Sequence, residues 1–431
     1  MTEGAGTGGP VLSRGAGAAT APARRVAPLP FCRPTIEDAE VAEVVASLRS
    51  GWITTGPKVA KFEALFRERL RAPEAIAVNS ATGGLHLSVA VLDLKPGDEV
   101  IVPSLTWTAT ANVVELSGAR PVFADVDAET LCLDPEDVAR RITPRTRAIM
   151  PVHYAGQPAD LDALRAPARK HGLVIIEDAA HAIGAFYKGV EIGASGDLVV
   201  FSFHAIKNAT TGEGGMIVCP ADGGRWADRL RRLRLQGVVN GPDRRPGRGP
   251  MEYDVLEPGW KYNMMDLQAA IGIHQMAKVD GFIARRRALA ERYAELLADV
   301  SELRPLGAVR YPSVHAWHLY VVQLDLEALD ISRAEFGARM MKEENIGVGL
   351  HFMPVHTSTY YSGKYGCKRG DLPNTDRAGD RILSLPLYPL LKEEDLEDVV
   401  RALKRMIAGH LKPPRHKGTA ATTTEYTEHT E

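Results

Sequence analysis

With 431 residues, 45% hydrophobic and 25% charged, the chain has the make-up of a globular protein large enough for two cores. A formal net charge of −2 and a pI near 6.7 give nucleic acid or an anionic membrane no electrostatic hold, and no apolar run reaches the roughly 18 residues of a membrane span. The four cysteines stand far apart without a CxxC pair, which argues against a zinc or iron–sulfur centre and a disulfide framework, and for a reduced, cytoplasmic setting.

The first 26 residues, rich in Gly, Ala and Pro, lack the compact apolar segment of a secretory signal and read as a flexible tail. From Ala75 to Pro220 come seven short apolar runs: AIAVNS, EVIVPS, RPVFADV, RAIMPVHY, LVIIEDAA, DLVVFSFH and GGMIVCP. Several are apolar at consecutive positions, as in strands buried on both faces. Helix-like spacing fills LHLSVAVLDL, TATANVVELSG and LDALRAPARKHG between them. This alternation predicts an α/β fold, a mostly parallel central sheet flanked by helices, with active residues in loops at the carboxyl ends of the strands. GVVNGPDRRPGRGP, residues 237–250, reads as a mobile loop. A long helical pattern from Asp266 to about Asp299 leads to a smaller α/β unit, with WHLYVVQLDL as strand, SRAEFGARMMKEENI as helix and EEDLEDVVRALKRMIAGH as closing helix. The Thr/Glu-rich end reads as a second flexible tail.

Four strand ends carry polar residues that call for an explanation. In NSATGGLH a strand turns into a helix start, where backbone N–H groups with Ser80 and Thr82 suit an anion; a plain capped turn is the alternative. Trp107, just past EVIVPS, can stack on a flat ring or simply pack. Asp178 ends an apolar strand, where a carboxylate is costly unless paired with a cation or used as a helix cap; His181 follows three residues on. Lys207 lies 29 residues after Asp178, between SFH and TTGEGG. Burial would lower its pKa and free the amine as a nucleophile toward an aldehyde, whereas a loop lysine reaching solvent needs no such role. Jointly, a phosphate cup, a ring stacker, an acid for a ring nitrogen and a lysine for an aldehyde are what pyridoxal 5′-phosphate (PLP) requires.

From Pro28 to His410 the sequence resembles the DegT/StrS-type sugar aminotransferases, a branch of the fold type I PLP enzymes, on segments including NSATGGLHL, GDEVIVPSLTWTAT, IIEDAAHAIGA, FSFHAIKNATTGEGG, GWKYNMMDLQAAIG and HFMPVHTSTYY. The SLTW, DAAHA and SFHAIKN wording is most similar to the branch that makes UDP-4-amino-4-deoxy-L-arabinose. The resemblance implies Lys207 as the Schiff-base lysine, Asp178 as partner of the ring nitrogen, Trp107 on the ring face and His181 beside the ring hydroxyl. It implies Ala81, Thr82 and Ser202 at the phosphate, joined by Asn263 from the neighbouring subunit of a homodimer with two shared sites. Thr55, His351 and His356 are candidates near the substrate. No metal is implied. A PLP-binding domain over 27–285 and a smaller C-terminal α/β domain over 286–413 lie between tails 1–26 and 414–431.

The activity so implied moves an amino group from L-glutamate, leaving 2-oxoglutarate, to a keto sugar carried on a nucleotide. A PLP-dependent sugar dehydratase is the alternative, but family members of that kind carry histidine where this chain has Lys207. A keto-cyclitol acceptor stays open. A non-catalytic PLP-binding regulator is a further reading, though no helix-turn-helix precedes the PLP region.

Overall fold

The computed structural model describes residues 24–194, 196–219, 224–239 and 252–413. The expected tails up to residue 23 and over 414–431, and most of the 237–250 loop, lie outside the described residues.

All seven apolar runs enter one sheet: β1 (Glu74–Val78), β2 (Glu99–Pro103), β3 (Arg120–Ala124), β4 (Thr146–Ile149), β5 (Val174–Asp178), β6 (Leu198–Ser202) and β7 (Gly215–Cys219). Their order is β1-β7-β6-β5-β4-β2-β3, and only β7 runs antiparallel to its neighbours. Runs such as LVVFS are buried at every position because helices cover both faces of the sheet. The carboxyl ends of β1, β2, β5 and β6 therefore open onto one edge, where the polar residues picked out from the sequence cluster.

Helix–strand contact at that edge is close. Helix α1 (Ala81–Ala90) follows β1, and Ser80 caps it by accepting a 3.0 Å hydrogen bond from the Gly83 N–H. A Cβ on Gly215 would stand 2.7 Å from the Ala81 nitrogen, so only glycine lets β7 pass beneath the start of this helix.

The long pattern forms helix α2 (Asp266–Leu296). Its first residue, Asp266, is buried, and its carboxylate accepts from the Lys58 and Val59 N–H groups at 3.1 and 2.9 Å. Those amides open the helix Pro57–Leu70, whose N-cap Gly56 has no side chain to offer them. One helix start thus satisfies another.

Beyond α2 lies a three-stranded antiparallel sheet, β8 (Leu303–Pro305), β9 (Tyr320–Leu324) and β10 (Ile382–Leu385), packed against helices Arg333–Glu343 and Glu393–Ala408. Tyr293, Val322, Phe336, Leu383 and Leu403 form its core, and Leu29 from the start of the chain packs with them. Arg25 pairs with Asp395 and Asp398 of the closing helix at 2.6 and 2.8 Å. The expected strand from Trp317 begins at Tyr320, since Trp317 sits at φ 48°, outside extended backbone. Among the described residues no helix is long and apolar enough to cross a membrane.

Candidate functional site

At the carboxyl edge of the sheet lies a cavity of about 480 Å³. Residues from four strand ends line it: Ser80, Ala81 and Thr82 after β1, Thr106 and Trp107 after β2, Asp178 and His181 at β5, and Ser202 and Lys207 at β6. A loop ahead of β10 adds Leu350, His351 and Phe352 from the far part of the chain.

The wall around Asp178 is built from hydrogen bonds. Its Oδ2 accepts from the Thr110 hydroxyl at 2.9 Å and its Oδ1 from the Ala180 N–H at 3.2 Å. Thr110 also bonds Thr106, in the turn that leads into its helix, at 2.8 Å. Burial pushes the Asp178 carboxyl pKa up, while Thr110, the Ala180 N–H and the charge of Lys207 pull it down. Among the described residues this buried carboxylate has no ion-pair partner, an expensive state that a bound cation would relieve.

Lys207 is half-buried and its Nζ makes no hydrogen bond among the described residues. Desolvation lowers its pKa to about 8, against the pull of Asp178 and Cys32 in the other direction. A neutral amine is therefore accessible near neutral pH. Reductive methylation of Lys207 should speed up as pH rises and level off above about 8, whereas an ordinary lysine keeps gaining toward 10.5. Mass spectrometry of the cofactor-free protein across pH checks this; a rate still climbing at the ordinary lysine pKa would contradict it.

Aromatic rings close the cavity. Trp107 is 62% exposed, which gives its face to the opening, and its ring lies 6.0 Å from Phe352. Phe352 stacks on His181 at 5.9 Å. Burial, followed by the fields of Lys207 and neighbouring histidines, holds His181 well below the usual histidine pKa, so it is neutral. His351 reaches about 4 for the same first reason, and its Nδ1 meets the Ser384 hydroxyl at 2.9 Å.

Three sequence candidates do not line this cavity. Asn263 donates to Thr55 Oγ1 at 2.6 Å, and Thr55 in turn donates to the Met264 carbonyl, so these two residues form one patch beside it. His356 is buried behind the wall, with Nδ1 2.7 Å from Ser104 Oγ and Nε2 3.5 Å from Asp376. Conversely, Phe352, Thr106 and Thr110 were not singled out from the sequence. In SLTWTAT the tryptophan stands out, while the two threonines become a pair only once the turn into the helix Ala109–Leu116 brings Thr106 back against Thr110.

The donor set fits PLP: a helix start with hydroxyls for a phosphate, a buried carboxylate that makes no ion pair, an exposed indole face and an amine of lowered pKa share one cavity. The aminotransferase TlmJ of Streptoalloteichus hindustanus superposes on the chain with a TM-score of 0.80 at 33% identity, covering 88% of this chain and 98% of its own. Spr1654 from Streptococcus pneumoniae, assigned as a sugar aminotransferase and solved in a PMP form, gives 0.83 at 32% identity over 88% and 99%. The sugar aminotransferase CalS13 of Micromonospora echinospora gives 0.77 at 32% over 87% and 99%. A sequence model of one family matches residues 34–404, a span that holds every strand among the described residues and every wall of this cavity; the chain belongs to the DegT/DnrJ/EryC1/StrS aminotransferase family.

Proposed function

We propose that the protein transfers an amino group from L-glutamate to a keto sugar carried on a nucleotide, using PLP in this cavity. The observation that carries the reading is a buried carboxylate that makes no ion pair, in one cavity with a lysine whose pKa falls to about 8. A second support is the similarity to Spr1654, which is solved in both PMP and PLP forms.

When bound, PLP supplies an aldehyde that exchanges amino groups and a ring that takes up the electron pair left as a carbon loses its proton. The chain does the rest. Asp178 holds the proton on the ring nitrogen, and Thr110 holds Asp178 in place. The start of α1, Thr82 and Ser202 would hold the phosphate, Trp107 would cover the ring face and His181 would meet the ring hydroxyl, all of them lining this cavity. Lys207 Nζ, whose neutral form burial favours, would take the proton from the donor carbon and deliver it to the cofactor carbon that receives the amino group. His351 faces the incoming substrate from the C-terminal unit. We place Asn263 and Thr55 at the cavity of a second copy in a homodimer, a reading supported by their shared patch outside this chain's own cavity. The free state of all four cysteines supports a cytoplasmic site of action.

Thr110→Val keeps the side-chain shape but removes the donor to Asp178. Because Thr110 acts on the ring nitrogen only through Asp178, its loss should cost less than the roughly 10²–10³-fold of a direct electrostatic contact, and about a 10-fold fall in turnover is expected. Steady-state kinetics well below the variant's own unfolding midpoint would check it, and an unaltered kcat would remove Thr110 from this role.

Acceptor and donor are tested separately. Adding L-glutamate to the PLP-loaded protein should bleach its visible absorbance and release 2-oxoglutarate. The PMP-loaded protein is then offered 3-keto and 4-keto nucleotide sugars and keto-inositols, and return of the absorbance identifies the acceptor. Bleaching by glutamate with no response to any nucleotide sugar would overturn the acceptor class alone.

A further inference from the structure

Ser104 stands between two loops that wall the cavity. It follows β2, three residues before Trp107, and it is bonded to the loop that carries Phe352 through both its carbonyl and its hydroxyl. The carbonyl oxygen accepts from the Val355 N–H at 2.9 Å. The hydroxyl oxygen accepts from the His356 N–H at 3.0 Å and lies 2.7 Å from His356 Nδ1. Both residues are buried.

The other contacts fix the direction of the last one. Burial, against the pull of Asp376, Asp371 and Asp125, keeps the His356 ring neutral at pH 7, so one of its nitrogens is a bare acceptor. The Ser104 hydroxyl hydrogen has no other acceptor among the described residues, so the hydroxyl donates to Nδ1. The hydrogen on Nε2 then faces Asp376 Oδ1, 3.5 Å away.

Trp107 needs an anchor of this kind. Most of its side chain is exposed, and its indole N–H has no partner among the described residues. Phe352, at 6.0 Å, is the one ring set against it there. So little packing of its own leaves the place of the indole to the backbone that carries it. That backbone also carries Thr106, which bonds Thr110 and through it Asp178.

We propose that Ser104 and His356 are positioning residues: the pair clasps the loop of Trp107 to the loop of Phe352 and so sets where the indole face lies over the cavity. His356, a substrate candidate by resemblance, then acts from behind the wall and touches no substrate. The role of the indole toward a cofactor ring rests on the proposed function; the clasp does not.

The test is fluorine-19 NMR of the cofactor-free, full-length protein labelled with 5-fluorotryptophan. Trp107→Phe identifies the Trp107 line among those of the five tryptophans. In Ser104→Ala, which removes the hydroxyl, the Trp107 line should shift or broaden while those of Trp52, Trp226, Trp260 and Trp317 stay. His356→Leu, which keeps bulk but offers no acceptor, should do the same. His356→Asn, which puts an oxygen where Nδ1 stands, should return the line to its wild-type position. A Trp107 line unmoved in Ser104→Ala and His356→Leu would overturn the clasp, and so would one that moves equally in His356→Asn and His356→Leu. The two His356 variants decide even if Ser104→Ala fails to fold. Equilibrium dialysis of PLP with the same variants separates the clasp from the proposed function: a moved line with unchanged PLP affinity would keep the clasp and remove Trp107 from the ring face.

Discussion

Lys207→Ala is expected to lose turnover by about 10⁴-fold or more while the protein still binds PLP. Positioned acid–base catalysis alone contributes about 10²–10⁴-fold, and this lysine is assigned both that proton transfer and the covalent hold on the aldehyde. Binding survives because the phosphate cup at α1 and Ser202, the Trp107 face and Asp178 are separate side chains on other strand ends. Single-turnover kinetics with glutamate, together with equilibrium dialysis of PLP, separate the two effects. Turnover near wild type would show that another amine does this work. Loss of PLP binding along with activity would show that the rest of the cavity does not hold the cofactor by itself.

Asp178→Asn is the second large effect. The amide matches the carboxylate in shape and keeps an oxygen for Thr110 or the Ala180 N–H, so packing at the end of β5 is preserved. It removes the negative charge that keeps a proton on the ring nitrogen. Deleting one preorganised electrostatic contact at developing charge costs roughly 10²–10³-fold in kcat, and a loss of that size is expected here. Covalent capture of PLP by Lys207 should persist. The comparison with Thr110→Val is informative, since that change weakens the same carboxylate indirectly and should cost less. A kcat within a few-fold of wild type for Asp178→Asn would mean that the ring nitrogen is held some other way.

These expectations draw on residues whose legibility in the sequence differed for physical reasons. The seven strands could be read because burial on both sheet faces leaves unbroken apolar runs such as VVF and VII, each followed by a polar residue at its carboxyl end. Asp178, Ser202 and Lys207 sit next to such runs, so strand and site were found together. Phe352 reaches the cavity from a loop more than 140 residues after Lys207, and nothing local in HFMPVH marks its face; its neighbour His351, which also lines the cavity, was a candidate through the resemblance alone. His356 in the same stretch turns the other way, because Ser104 offers it both a backbone and a ring contact inside the wall. The contact of the His181 ring with that of His318, 4.4 Å away, was equally invisible, since it depends on Gly156 bringing two distant backbones together. Leu29 shows the same limit in the fold: a short apolar stretch among prolines joins the C-terminal core only because Asn345 and Gly347 offer it backbone partners.

Borohydride reduction of the PLP-loaded protein, followed by proteolysis and mass mapping, bears most directly on the whole account. Reduction should fix the cofactor to one peptide, that spanning Phe201 to Val218, with the added mass on Lys207. A label on any other amine, or no label on a protein that has bound PLP, would contradict it.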